Sequence, residues 1–227
     1  MKNDNLKLGR LAGFFLLMMV VAGIPGVAFR GIGSSMLADP ELLQTLLDSS
    51  ATMRLSILLS MVAGVFGLLF SITAYRVMEA YSKPVAVAFV TLWSIQMAVG
   101  LVGDVMHYTL LETAQLAARN TIPAQSFLAA AAIGVNGYIG AHFLSLILFG
   151  GTFVFMHASF MKFGLLPKWL TIWGMLATGT VFTVTWLRIF DHYVSFHFYN
   201  QNGLFMIGFT LYMLIKGFQK VSGQNTP

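Results

Sequence analysis

The sequence predicts an all-α fold, a polytopic transmembrane helical bundle of about six spans with both termini on the inner side. Three observations predict it. The chain is 57% hydrophobic and only 9% charged, whereas a soluble domain carries about a quarter charged residues. Its apolar residues gather into stretches near the roughly 20 residues that a helix needs to cross a bilayer. Its Lys and Arg rise and fall from one connection to the next, as the positive-inside bias requires. The connections are too short for an independent soluble core, so residues 1–227 are expected to form a single transmembrane domain.

In hydrocarbon a chain must satisfy its own backbone N–H and C=O groups, so each apolar stretch reads as helix. The first span runs over 11–29, after Lys2, Lys7 and Arg10, and Pro25 should kink it. A signal peptide cleaved near Gly26-Val27-Ala28 is the alternative for this run, although its apolar part is long for a signal. Asp39-Pro40-Glu41 then starts a short amphipathic segment over 40–48, with Asp39 as cap and Pro40 at the first helical position. It is expected to lie on the outer surface.

The second span covers 55–75, and the third, opened by Ser82 and Pro84, covers 85–110. The longest outer connection, Leu111 to Gly137, breaks at Asn120-Thr121-Ile122-Pro123. Its alanine-rich second half, 124–136, is too short to span and reads as a second outer amphipathic segment. The fourth span covers 138–160 and ends in a tight inner turn, where Gly164 stops the helix and Pro167 prevents its continuation. The fifth covers 169–189 and the sixth, the shortest, 203–218.

Orientation follows from the basic residues. With the N-terminus inside, the inner segments hold Lys2, Lys7, Arg10, Arg76, Lys83, Lys162, Lys168, Lys216 and Lys220. The outer ones hold only Arg30, Arg54, Arg119 and Arg188. The net charge of +5 is thus spread singly over helix ends, a pattern of membrane helices that leaves no basic patch for nucleic acid. The chain has no cysteine, which excludes disulfides, thiolate chemistry and Cys-held zinc or iron–sulfur centres. Trp169, Trp186, Tyr138 and Tyr199 sit near predicted interfaces and read as an aromatic belt.

Small residues at Ser56, Ser60, Gly64, Gly67 and Ser71 share one face of the second span. Such a face is a packing seam, either within the chain or in a homo-oligomer joined through Ser56, Ser60, Gly64 and Gly67. The third span carries Gln96, Gly100, Gly103, Asp104 and His107 within about a third of its circumference. Ionisable groups inside a span are costly and mark candidate functional sites. Asp104 and His107 are neighbours on the helix and can hydrogen-bond.

Four of the five histidines, His107, His142, His192 and His197, map to the outer half, near Arg188 and Asp191. A polar pocket of Gln96, Asp104, His107, His142, Arg188 and Asp191 is therefore expected. An interfacial network of hydrogen bonds and ion pairs is one reading of it. A divalent metal such as zinc on His107, His142, His192 and His197 is a second, haem between His107 and His142 a third, and proton relay or ligand binding through histidine titration near neutrality a fourth. Phosphate-loop, dinucleotide and nucleophile-elbow motifs are absent.

Four stretches carry a family resemblance: Leu8-Gly9-Arg10-Leu11-Ala12-Gly13, Arg54-Leu55, Gly164-Leu165-Leu166-Pro167-Lys168-Trp169-Leu170 through Trp173-Gly174, and Leu214-Ile215-Lys216-Gly217-Phe218. In order and spacing the chain resembles the bacterial membrane-protein family catalogued as domain of unknown function 4386. The resemblance implies a small multi-span protein of a bacterial inner membrane and implies no activity. Many members carry a glutamate early in the last span, where this chain has Leu204-Phe205-Met206. The expected function is non-enzymatic: binding or transport of a small or lipidic molecule, among membrane lipids, through an outward-facing pocket. A metal-dependent membrane hydrolase using the His/Asp cluster is the alternative.

Overall fold

The structure, a computed structural model, describes residues 2–195 and 197–219. Of the residues used for orientation, Lys220 lies outside the described residues. Seven α-helices and one 3-10 turn follow in order: α1 Lys2–Ala28, the turn Ser34–Ala38, α2 Leu42–Asp48, α3 Ser50–Met78, α4 Lys83–Ala118, α5 Ala124–Phe163, α6 Lys168–Ile189 and α7 His197–Lys216. No strand occurs among the described residues. Five helices, α1, α3, α4, α5 and α6, are long and apolar enough to cross a membrane. The fold is all-α, as the apolar stretches predict.

The main departure lies at the longest connection. Helix α4 continues to Ala118, and α5 begins at Ala124 and runs unbroken for 40 residues. The segment 124–136 is helical but forms the first turns of α5 rather than a separate element. Its Ala, Leu and Gln residues favour helix, and Phe127, Ala131 and Val135, one turn apart, are all buried. The break itself falls where expected. Asn120 adopts a left-handed conformation (φ 55°), and the Thr121 N–H returns to the Leu116 carbonyl at 3.0 Å, a Schellman end. The turn after α5 has the same geometry at Gly164 (φ 63°), where the Leu165 N–H bonds the Phe160 carbonyl at 2.9 Å. Helix α2 falls within the expected 40–48 segment but starts at Leu42 with Glu41 as its N-cap, so Asp39 is not the cap and Pro40 not the first helical residue; the Asp39 carboxylate instead accepts from the Glu41 N–H and the Thr45 hydroxyl, both at 2.9 Å.

The described residues divide into two compact units. The first comprises Met1–Val20, Gly64–Gln96 and Leu146–Pro227. Its core is aromatic, built on Phe70, Phe89, Trp93, Phe153, Phe160, Phe205 and Phe209. Three of the four stretches that carry the family resemblance meet in it. A Cβ on Gly13 would stand 2.6 Å from the Leu214 nitrogen, and one on Gly9 would collide with the Phe218 backbone. Only glycine lets α1 come this close to the end of α7. Arg10 donates to the Ile215 carbonyl at 3.1 Å, capping that helix end. The Gln219 N–H bonds the Leu165 carbonyl at 2.8 Å, and the Phe160 and Phe218 rings meet edge-on at 5.4 Å.

The second unit comprises Val21–Ala63 and Met97–Ser145. Leu42 and Leu46 of α2 pack with Met53, Leu110, Leu111, Ala114, Phe127, Ala131 and Val135. Gly134 and Gly137 bring α5 onto α4, because a Cβ at either would come within 3.1 Å of Leu110 or Met106. The seam of small residues on α3 is used inside the chain. Ser56 donates to the Gly26 carbonyl at 2.8 Å in this unit. In the first unit Gly67 leaves room for Trp93, whose Nε1 would be 3.0 Å from a Cβ there.

Candidate functional site

The polar centre of the second unit begins where α1 stops. Beyond Ala28 the chain turns at Gly31 (φ 62°), a conformation that suits glycine. Arg30, just before it, folds its guanidinium inward rather than out. Its Nη2 donates to Asp104 Oδ1 of α4 at 2.9 Å, and its Nη1 donates to the Tyr138 hydroxyl of α5 at 3.1 Å. The guanidinium also lies 5.1 Å from the centre of the Tyr138 ring, within cation–π range. Both members of the ion pair are buried, with side-chain exposures of 9% and 6%. Ser60 of α3 lies near the same carboxylate.

Two imidazoles flank this pair. His107, one turn along α4 from Asp104, is fully buried, and neither ring nitrogen has a hydrogen-bond partner. Its ring lies 5.8 Å from that of Tyr138, and the His142 ring stacks on Tyr138 at 5.8 Å with an interplanar angle of 21°. The expected Asp104–His107 hydrogen bond is absent, since the carboxylate takes Arg30 instead. Arg30 Nε is also buried without a partner. The centre thus presents an ion pair, a tyrosine and a sealed imidazole with unused hydrogen-bonding capacity.

Residues 11–217 match the family model described as "Domain of unknown function (DUF4386)". The chain belongs to that family. No curated protein matches it, and no solved structure does.

In this DUF4386 protein the candidate residues are divided between the two units. Asp104, His107 and His142 belong to the second unit, and Gln96, Arg188 and Asp191 to the first. Gln96 is half-buried on α4. Asp191 is exposed and left-handed (φ 59°), and the His192 N–H bonds the Leu187 carbonyl at 3.0 Å, so this stretch ends α6 in a Schellman motif. Arg188 donates to the Val194 carbonyl at 3.5 Å. His192 and His197 are exposed, and the His197 N–H bonds the Ser195 hydroxyl near the start of α7. Among the described residues no group of three or more His, Asp or Glu is gathered closely enough to hold a metal ion.

Arg30 and Tyr138 are the site residues that sequence reasoning missed. Arg30 reads as an outer-end charge, yet a buried Asp104 needs a cation, and that requirement was the available signal. Tyr138 is buried with its hydroxyl on Arg30, which corrects its placement in the aromatic belt. Trp169 and Trp186 are exposed.

A second sealed imidazole sits in the first unit. His157 has no hydrogen-bond partner on either nitrogen and lies within Phe153, Phe160, Phe205 and Phe209, at ring distances of 5.1 to 6.2 Å. Gly174 makes the room, since a Cβ there would stand 2.6 Å from the imidazole.

Proposed function

We propose that this DUF4386 protein is a six-span protein of a bacterial inner membrane, with both termini inside, that binds or moves a small or lipidic molecule at the Arg30–Asp104–Tyr138–His107 centre. The sixth span in this reading is α7, whose apolar part follows the polar opening His197 to Asn202. The excess of Lys and Arg on the inner connections supports the orientation. In that orientation Arg30, Asp104, His107, Tyr138 and His142 fall toward the outer ends of their helices.

One observation carries the binding reading. A buried ion pair stands beside a fully buried imidazole, and His107 and Arg30 Nε keep unused hydrogen-bonding groups. Each such group left unmatched costs about 1–3 kcal/mol, and a ligand with a polar head and an apolar body would satisfy them. Metal-dependent hydrolysis finds no comparable support, because it needs at least three converging ligands.

A thermal-stability screen of purified protein against small amphiphiles with neutral, cationic and anionic heads tests the proposal. A bound ligand at about 100 times its Kd stabilises by roughly 2.7 kcal/mol. At least one head group should raise the midpoint of the native protein and not that of His107→Ala. Equal shifts in both proteins, or none in either, would remove the centre as a binding site.

A further inference from the structure

We infer that the ligand of this centre is a monoanion with a carboxylate head, taken up together with one proton that settles on His107. The inference rests on the binding reading above and specifies its chemistry. The unused groups are mainly donors: the Nε–H of Arg30 and a ring N–H of His107, both more than nine-tenths buried. Donors of this kind fit an oxygen acceptor, and guanidinium in particular fits carboxylate. Asp104 accepts from Nη2 of Arg30 through Oδ1, and this pairing leaves the Nε–H of Arg30 and both His107 nitrogens without partners.

Charge decides how an anion can enter. The Tyr138 ring of α5 lies against His107, and around Tyr138 stand Arg30, which pairs with Asp104 of α4, and the stacked His142 of α5, while α3 contributes the uncharged Ser60 near Asp104. Arg30 and Asp104 cancel, so the centre is neutral with neutral imidazoles. A carboxylate arriving alone would leave one uncompensated negative charge in a buried site, which is costly. One proton from solution, added to a His107 nitrogen, restores neutrality. No other bond forms or breaks, and no electron moves. A second positive charge beside Arg30 would itself be unfavourable without the anion, so proton and anion enter together. The same count disfavours a phosphate dianion, which one proton does not balance.

Calorimetry in lipid nanodiscs at pH 7, in HEPES and in Tris, gives the number of protons taken up per ligand, because the two buffers differ in ionisation enthalpy. The probes are octanoate, octanol, octylamine and acetate. Octanoate should bind with close to one proton taken up and at least tenfold more tightly than octanol. His107→Gln should lose the proton uptake and at least tenfold in affinity. Acetate binding with the same proton uptake would make a water-soluble acid the natural class, and binding of octanoate alone a lipid-derived one. Octanoate binding without proton uptake, or no tighter than octanol, would overturn the inference. His107-dependent binding of octanol or octylamine but not octanoate would also overturn it while leaving the binding site standing. No His107-dependent binding by any probe would remove both. The proton count is read on the unaltered protein against empty nanodiscs, and where His107→Gln does not fold the imidazole resonances of His107 in the unaltered protein, followed by NMR with and without octanoate, show whether the proton settles there.

Discussion

Replacing Asp104 by asparagine removes one charge and almost no volume, and so isolates the ion pair at the centre of the second unit. The pair is 2.9 Å long, with both side chains under 10% exposed. Removing one partner of a buried pair strands the other charge and costs about 3–5 kcal/mol. Removing both partners, in Arg30→Met/Asp104→Leu, leaves no stranded charge and should cost far less, or stabilise by about 1–4 kcal/mol. The pair Arg54–Glu112 is an internal control: it is 2.8 Å long but 41% and 40% exposed. An exposed pair contributes at most about 1 kcal/mol, so Glu112→Gln should change little. Reversible unfolding in mixed micelles, followed by tryptophan fluorescence, reads all of these variants. An Asp104→Asn effect no larger than that of Glu112→Gln would refute the buried pair, and a double variant as unstable as Asp104→Asn would refute the stranded-charge explanation.

Other consequences are open to direct measurement. Gly13→Ala sets a Cβ 2.6 Å from the Leu214 nitrogen, where backbone cannot yield as a side chain can, and should cost about 1–3 kcal/mol in the same unfolding assay; an unchanged midpoint would mean that α1 and α7 are not in backbone contact. Gly174→Ala meets the His157 ring at 2.6 Å, so its loss of about 1–3 kcal/mol should shrink by more than half in a His157→Ala background, whereas strict additivity would place the two residues apart. Because the chain has no cysteine, single cysteines report topology with an impermeant maleimide. Thr121→Cys and Tyr193→Cys, both exposed, should label from outside intact cells, and Ala80→Cys only after lysis; the reverse pattern would invert the orientation.

What the sequence reveals here depends on whether a signal is local. The apolar runs and the left-handed Gly164 before Pro167 are set by neighbours in the chain, and the helices follow them closely, whereas α2 starts at Leu42, two residues later than Pro40 would set it. The length of α5 was hidden because 124–136 has helix-forming composition without saying whether that helix ends before the span begins. Asp104 and His107 were legible because ionisable groups within an apolar run need a reason. Arg30 was not, since it stands 74 residues from Asp104 at the end of an apolar run, where arginine is ordinary. The distant histidines were grouped by predicted depth alone, which says nothing about where around the bundle a side chain points. His192 and His197 instead lie exposed near the connection between α6 and α7.

The most direct test of ligand binding at the Arg30–Asp104–Tyr138–His107 centre is native mass spectrometry of protein released from its own membrane, beside His107→Ala. The unaltered protein should carry one bound small molecule with an acidic head, and the variant should lose it while keeping its ordinary lipid adducts. Identical adducts on both proteins, or a bare unaltered protein, would contradict the assignment of this centre as a binding site.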